Sequence, residues 1–234
     1  MDSGRLEAFS DGVFAVAITL LALNLTVPGP GHGALARQFA DHWPSFAAYV
    51  VSFLTIGIIW VNHHSLFKNF ARIDRTVLFL NLLMLFFVVS IPFATATFAA
   101  YLSQGGADAP LAAAVYQGVF EGMSLSFGVL FYWAIWRRHL KIALTPSAAR
   151  AAIIRFGAGN IAYLAAIGIA ILSAPASLLV SGLVASYYVF EHTPVRPGEA
   201  QPGHSMTPGS RRRPPPGPVP GPGERRAGSK EGCR

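Results

Sequence analysis

The chain has 234 residues, of which 53% are hydrophobic and 12% charged. A soluble domain carries roughly a quarter charged residues, so this composition excludes a wholly disordered chain and argues against a water-soluble domain. The formal net charge of +7 is uneven, because Arg196, Arg211, Arg212, Arg213, Arg225, Arg226, Lys230 and Arg234 all follow the last apolar run. One cysteine, Cys233, allows neither an intrachain disulfide nor a cysteine metal cluster.

A helix needs about 20 mainly apolar residues to cross a bilayer. No charge occurs from Gly12 to Ala36, and the first span is predicted at Phe9–Val27. A cleavable signal peptide fits this segment poorly, since Arg5 is outweighed by Asp2, Glu7 and Asp11 and a basic leader is missing. The next charge-free runs predict spans at Ser45–Phe67 and Val77–Leu102, the latter kinked at Pro92. Leu111–Trp136 contains one charge, Glu121. The last run predicts Ala151–Ser173 and a shorter Pro175–Phe190, broken at Ser173, Ala174 and Pro175.

The expected fold is an all-α polytopic membrane protein with six transmembrane helices over residues 1–192. Residues 193–234 form a second region, rich in Pro, Gly and Arg without apolar periodicity, expected to be a disordered cytoplasmic tail. Lys68, Arg72 and Arg75 fall in one loop and Arg137, Arg138, Lys141 and Arg150 in another, with Arg37 alone in the intervening loops. This asymmetry predicts cytoplasmic termini and a multi-pass protein of the cell membrane. Two readings of the tail stay open: arginines on anionic lipid headgroups, or a solvated segment without a specific partner. Nothing points to nucleic acid.

Several chemistries are missing. The sequence has no phosphate-binding glycine loop, metal-ligand spacing or nucleophile elbow. His63 and His64 are adjacent, so on a helix they point about 100° apart and suit one metal badly. Neither enzyme activity, nor a cofactor, nor a bound metal is expected. No carbonyl-ring filter sequence and no arginine-repeat voltage sensor is present. Glu121 is an intramembrane carboxyl and thus a candidate functional site. Its alternative is a structural side chain facing Gln117, Ser124 or a neighbouring helix. Asn81 and Asn160 read as interhelical hydrogen-bonding residues.

The strongest signal is Arg5 to Leu25, RLEAFSDGVFAVAITLLALNL. Ser10 or Asp11 is readable as a helix cap, but the cap does not account for both beside Arg5 and Phe9. Arg5, Phe9, Ser10 and Asp11 match the R-x-x-x-F-S-D signature of the transmembrane protein 175 potassium channels, which this chain resembles over residues 5–191. Trp60, Asn62, His63 and His64, in IIWVNHHSLF, resemble the family's second span, and SIPFATATF around Pro92 its third.

The resemblance implies a homotetramer whose first helices line a central pore permeated by K+. Carried over by position, the constriction falls on Val16, with Leu20 and Leu23 as hydrophobic layers and Thr19 as a hydroxyl layer. Val16, Leu20 and Leu23 are spaced i, i+4, i+7 and share one helix face. That face either lines a pore or packs on a neighbour or lipid. Thr19 either faces the ion or bonds back to the Ala15 carbonyl. Val16 departs from the Ile or Leu usual at the family's constriction and implies a wider neck. Arg5, Ser10 and Asp11 are expected to tie to Trp60, Asn62, His63 or His64 and hold the pore helix. The functional expectation is passive K+ conduction through a hydrophobic neck. A proton-permeable channel of the same architecture, a proton-coupled secondary transporter and an accessory protein without flux are the alternatives.

Overall fold

The structure is a computed structural model that describes residues 3–141 and 145–190. The tail expected at 193–234 lies outside the described residues. Seven helices follow one another: α1 Ser3–Ala22, α2 Leu35–Asp41, α3 Trp43–Lys68, α4 Arg75–Gln104, α5 Ala109–Trp136, α6 Pro146–Leu172 and α7 Ala174–Phe190. Four of them, α3 to α6, are long and apolar enough to cross a membrane. The described residues form no strand beyond one isolated bridge, Phe70 to Leu140.

The helix ends follow local chemistry. Asp74 caps α4, its Oδ1 accepting the Val77 N–H at 2.7 Å, and Thr145 caps α6 through the Ala148 N–H at 3.2 Å. Such caps satisfy backbone donors that the helix leaves open. Proline stands in the first turns of α3, α5 and α6, where its missing N–H costs nothing. Gly105, with φ 66°, ends α4 in a conformation that favours glycine. The break expected at Ser173–Pro175 narrows to Ser173 alone, with Pro175 inside α7's first turn. Pro92 sits within a continuous α4.

Several features depart from the sequence reading, and α1 and α6 begin earlier than expected, at Ser3 and Pro146 instead of Phe9 and Ala151. The first helix stops at Ala22 instead of Val27, so Leu23 lies in a turn, its N–H on the Leu20 carbonyl at 3.2 Å. Pro28 ahead forces extended backbone on Val27, and glycines 29, 31 and 33 take φ values near +90°. The short helix α2 is unanticipated. Its Gln38 is buried and clasps the preceding linker, exchanging two hydrogen bonds with Gly29 and donating to the Gly33 carbonyl at 3.0 Å.

The core lies where α4 and α5 make their extensive contact, with α6 on the far side of α5 and α1 against α3 and α4. The last helix, α7, closes the bundle against α6, α3 and α5. Phe14, Phe67, Phe98, Tyr116, Phe120, Phe127 and Phe131 are fully buried. Small residues allow close approach: a Cβ at Gly122 would run into the Phe87 ring, and one at Gly159 into the Tyr188 hydroxyl. Several buried polar groups pair across helices, which spares them the cost of burial away from water. Ser52 bonds Thr95 at 2.7 Å and Tyr116 at 3.0 Å, and Gln117 bonds the Ser177 carbonyl and the Ser181 hydroxyl.

One end of the bundle is basic. Loops 69–74 and 137–141 meet at the Phe70–Leu140 bridge, with Ala71 N–H on the His139 carbonyl and Lys141 N–H on the Asn69 carbonyl, both at 2.7 Å. Asp74 accepts from the Trp133 indole at 3.2 Å and pairs with His139 Nε2 at 3.0 Å. Burial pushes the Asp74 carboxyl up, but the Val77 N–H, Trp133 and His139 together outweigh it and hold the group below its ordinary value. Lys68, Arg72, Arg75, Arg137, Arg138 and Lys141 thus gather at the same end.

Candidate functional site

Helix α1 has two unlike faces. Leu6, Ser10, Phe14, Ala17 and Leu21 are buried against α3 and α4. On the other face Val16 is 55% exposed, Leu20 40% and Leu23 73% within one chain, and Gly12 and Thr19 are exposed as well. The exposed stripe therefore includes all four residues predicted to line a pore. The Thr19 hydroxyl donates to the Val16 carbonyl at 2.9 Å, three residues back instead of the four expected for a bond to Ala15. Its oxygen keeps lone pairs for a further partner.

The N-terminal half of α1 is tied to α3 and α4 by polar side chains. At its centre runs one directed chain, all of it buried. The Ser10 hydroxyl donates to the Leu6 carbonyl at 2.9 Å. Asn81 Nδ2 donates to Ser10 Oγ at 3.0 Å, leaving Oδ1 as an acceptor for His63 Nε2 at 2.8 Å. Since an amide oxygen only accepts, His63 must carry the donated proton on Nε2. Its ring stacks on Phe67 with centroids 4.0 Å apart. A second link lies nearer the surface, where the Trp60 indole donates to Asp11 Oδ1 at 2.9 Å. Beside it, His64 Nδ1 lies 2.9 Å from Glu7 Oε1, with the His64 ring stacked on Trp60.

The polar residues expected to meet are distributed as follows. Asp11 reaches Trp60 directly, and Ser10 reaches His63 through Asn81. Arg5 and Phe9 are exposed, and among the described residues no hydrogen bond or ion pair joins Arg5 to the knot. Asn62 lines a cleft on α3 shared with Tyr188 of α7. Glu7 was missed by the sequence reading, because it sits 57 positions from its partner His64 and carries no motif of its own. Spacing four short of Asp11 was the available signal.

Glu121 is half-buried on α5, and its Oε2 has no hydrogen-bond partner among the described residues. The expected neighbour Gln117 is engaged with α7 instead. Asn160, read as an interhelical donor and acceptor, likewise has an unpartnered buried Oδ1.

Against known proteins, residues 5–92 match the family model described as endosomal/lysosomal potassium channel TMEM175. A potassium channel of Streptomyces collinus is 49% identical over 201 residues, covering 85% of this chain and 97% of the relative. The solved structure of a lysosomal potassium-selective channel TMEM175 homolog from Chamaesiphon minutus superposes with a TM-score of 0.71 at 36% identity, covering 80% of this chain and 96% of that one. An endosomal/lysosomal proton channel TMEM175 of Gallus gallus is 41% identical over 99 residues, covering 38% of this chain and 20% of that protein. Apolar helices of spanning length and relatives of this kind make the chain a multi-pass, all-helical membrane protein. With near-complete coverage at 49% identity, the chain belongs to the TMEM175 family.

Proposed function

We propose that the protein is a potassium-permeable cation channel, a homotetramer of chains with six membrane-crossing helices, α1 and α3 to α7, whose α1 helices surround a central conduit. The observation that carries this reading is the division of α1. One face is locked into the bundle, while an apolar stripe through Val16 stays exposed within one chain. Relatives named as potassium channels supply the permeant ion. A 20-residue α1 is about 30 Å long, enough for the hydrocarbon core. The 17-residue α7 is about 25 Å and reaches across with its ends drawn in. The basic loops support a cytoplasmic location for that end of the bundle, and with it the Glu7–Asp11 end of α1 at the inner mouth.

Conduction follows from the lining. Four Val16 side chains form a neck without oxygen ligands, which passes ions when wetted and stops them when dry. Thr19 lies one turn beyond, where its hydroxyl supports a partly dehydrated ion. K+ sheds water more easily than Na+ and passes such a neck with less loss. Carboxylates at the mouth raise the local cation concentration. The channel works at the plasma membrane and needs no cofactor.

Planar-bilayer recording of the purified protein under opposed K+ and Na+ gradients tests this. The reversal potential is expected to follow K+, and Val16→Asn is expected to raise unitary conductance severalfold by wetting the neck. Silent bilayers from folded protein, or a Val16→Asn variant that conducts as the parent does, would falsify the reading. A proton-permeable channel is the second reading, favoured by the relative named a proton channel and by Glu7, Asp11 and His64 at the mouth. A pH gradient across the same bilayer separates the two.

A further inference from the structure

We propose that Glu7, Asp11 and His64 form a binding site for one divalent transition-metal ion, zinc by its donor set, that clamps α1 to α3. The site stands whether or not α1 lines a pore. One ligand atom from each of the three residues can be chosen so that all lie within 4.8 Å of one another. Ligands on a single tetrahedral zinc are about 3.3 Å apart, given zinc–ligand distances of roughly 2.0–2.1 Å. A small rotamer adjustment therefore closes the three atoms on one ion. All three residues are half-buried, so the ion reaches them from water without unfolding the bundle.

The arrangement is built around its ligands. Glu7 and Asp11 stand four apart on one face of α1, a like-charge spacing that is unfavourable unless a cation sits between. His64 Nδ1 is buried and makes no hydrogen bond among the described residues, although Glu7 Oε1 lies 2.9 Å away. It sits beside the carboxylate without a proper hydrogen bond, which suits a lone pair aimed at a shared ion. Trp60 supplies the surrounding support. Its indole N–H holds Asp11 Oδ1, and its ring stacks on His64 at 5.6 Å. Supporting contacts of this type fix ligand orientation in metal sites. The imidazole selects against Mg2+ and Ca2+, which prefer oxygen alone. Three protein ligands leave a fourth position for water.

The test uses untagged full-length protein in detergent, stripped with chelator, loaded with Zn2+ and dialysed. Metal content is expected at about one zinc per chain, unaffected by excess Mg2+. Zinc-edge X-ray absorption is expected to show one imidazole and an otherwise oxygen shell at about 2.0 Å. Glu7→Gln and His64→Gln are each expected to weaken zinc binding tenfold or more, with the elution volume of the assembled protein unchanged. Absence of retained zinc, a spectrum with sulfur or with two or more imidazoles, or full retention by both variants overturns the site. Should a variant aggregate, the absorption spectrum of the parent protein decides alone.

Discussion

At the scale of single residues, Asn81 is the hinge of the buried polar chain. It donates to Ser10 and accepts from His63, so its removal leaves two buried groups short of a partner. Each such group costs about 1–3 kcal/mol. Asn81→Ala is expected to lower stability by about 2–4 kcal/mol, read as a fall in the detergent melting temperature. Arg138 makes the opposite case. It takes φ 52° just past α5, with His139 N–H on the Ala134 carbonyl and Arg138 N–H on the Ile135 carbonyl. That is the Schellman pattern, whose left-handed position normally holds glycine. Arg138→Gly is expected to stabilise by about 1 kcal/mol, visible as a higher melting temperature.

Asp74 adds a pH dependence. Its carboxyl is held below the ordinary 3.8, so its contribution is full above that value and disappears as pH falls through the lower native one. Melting temperature measured from pH 5 downward is expected to drop more steeply for the parent than for Asp74→Asn. Little of this was readable beforehand. Asp74 looks like a plain N-cap before Arg75, and its partners Trp133 and His139 lie about sixty residues away, beyond any local pattern.

Among the elements, the long helices were legible because charge is costly in lipid and charge-poor runs mark their middles, although α6 reaches back past Arg150 and Arg155 to Pro146. The end of α1 was not, because the apolar run continues to Val27 while Pro28 and the glycines behind it redirect the backbone. Helix α2 carries Arg37 and Asp41 in seven residues, too short and too polar for an apolar pattern to register. It forms where Gln38 fastens the linker, an interaction of side chain with distant backbone. Ser10 and Asp11 stood out by motif, yet the sequence did not reveal that each would use a different partner. Asp11 anchors the N-terminal half of α1 through Trp60, while the Val16 stripe hangs free of that anchor. Asp11→Ala is therefore expected to reduce the yield of folded protein, assembled as the proposed tetramer, by several-fold and leave single-channel conductance nearly unchanged. Normal assembly with altered conductance would reverse that assignment.

For the whole molecule, the bridge between loops 69–74 and 137–141 has a consequence for how the protein keeps its orientation. Hydrogen bonds zip the two cationic loops together, and six lysines and arginines lie on these loops or at the helix ends beside them. Flipping either hairpin after folding would drag the other along. Each cation taken to the bilayer centre costs about 2.5–3.5 kcal/mol, so the six together oppose inversion by roughly 15–20 kcal/mol. Insertion is the single moment at which sidedness is chosen; once the clasp has closed, the bilayer itself keeps the door shut.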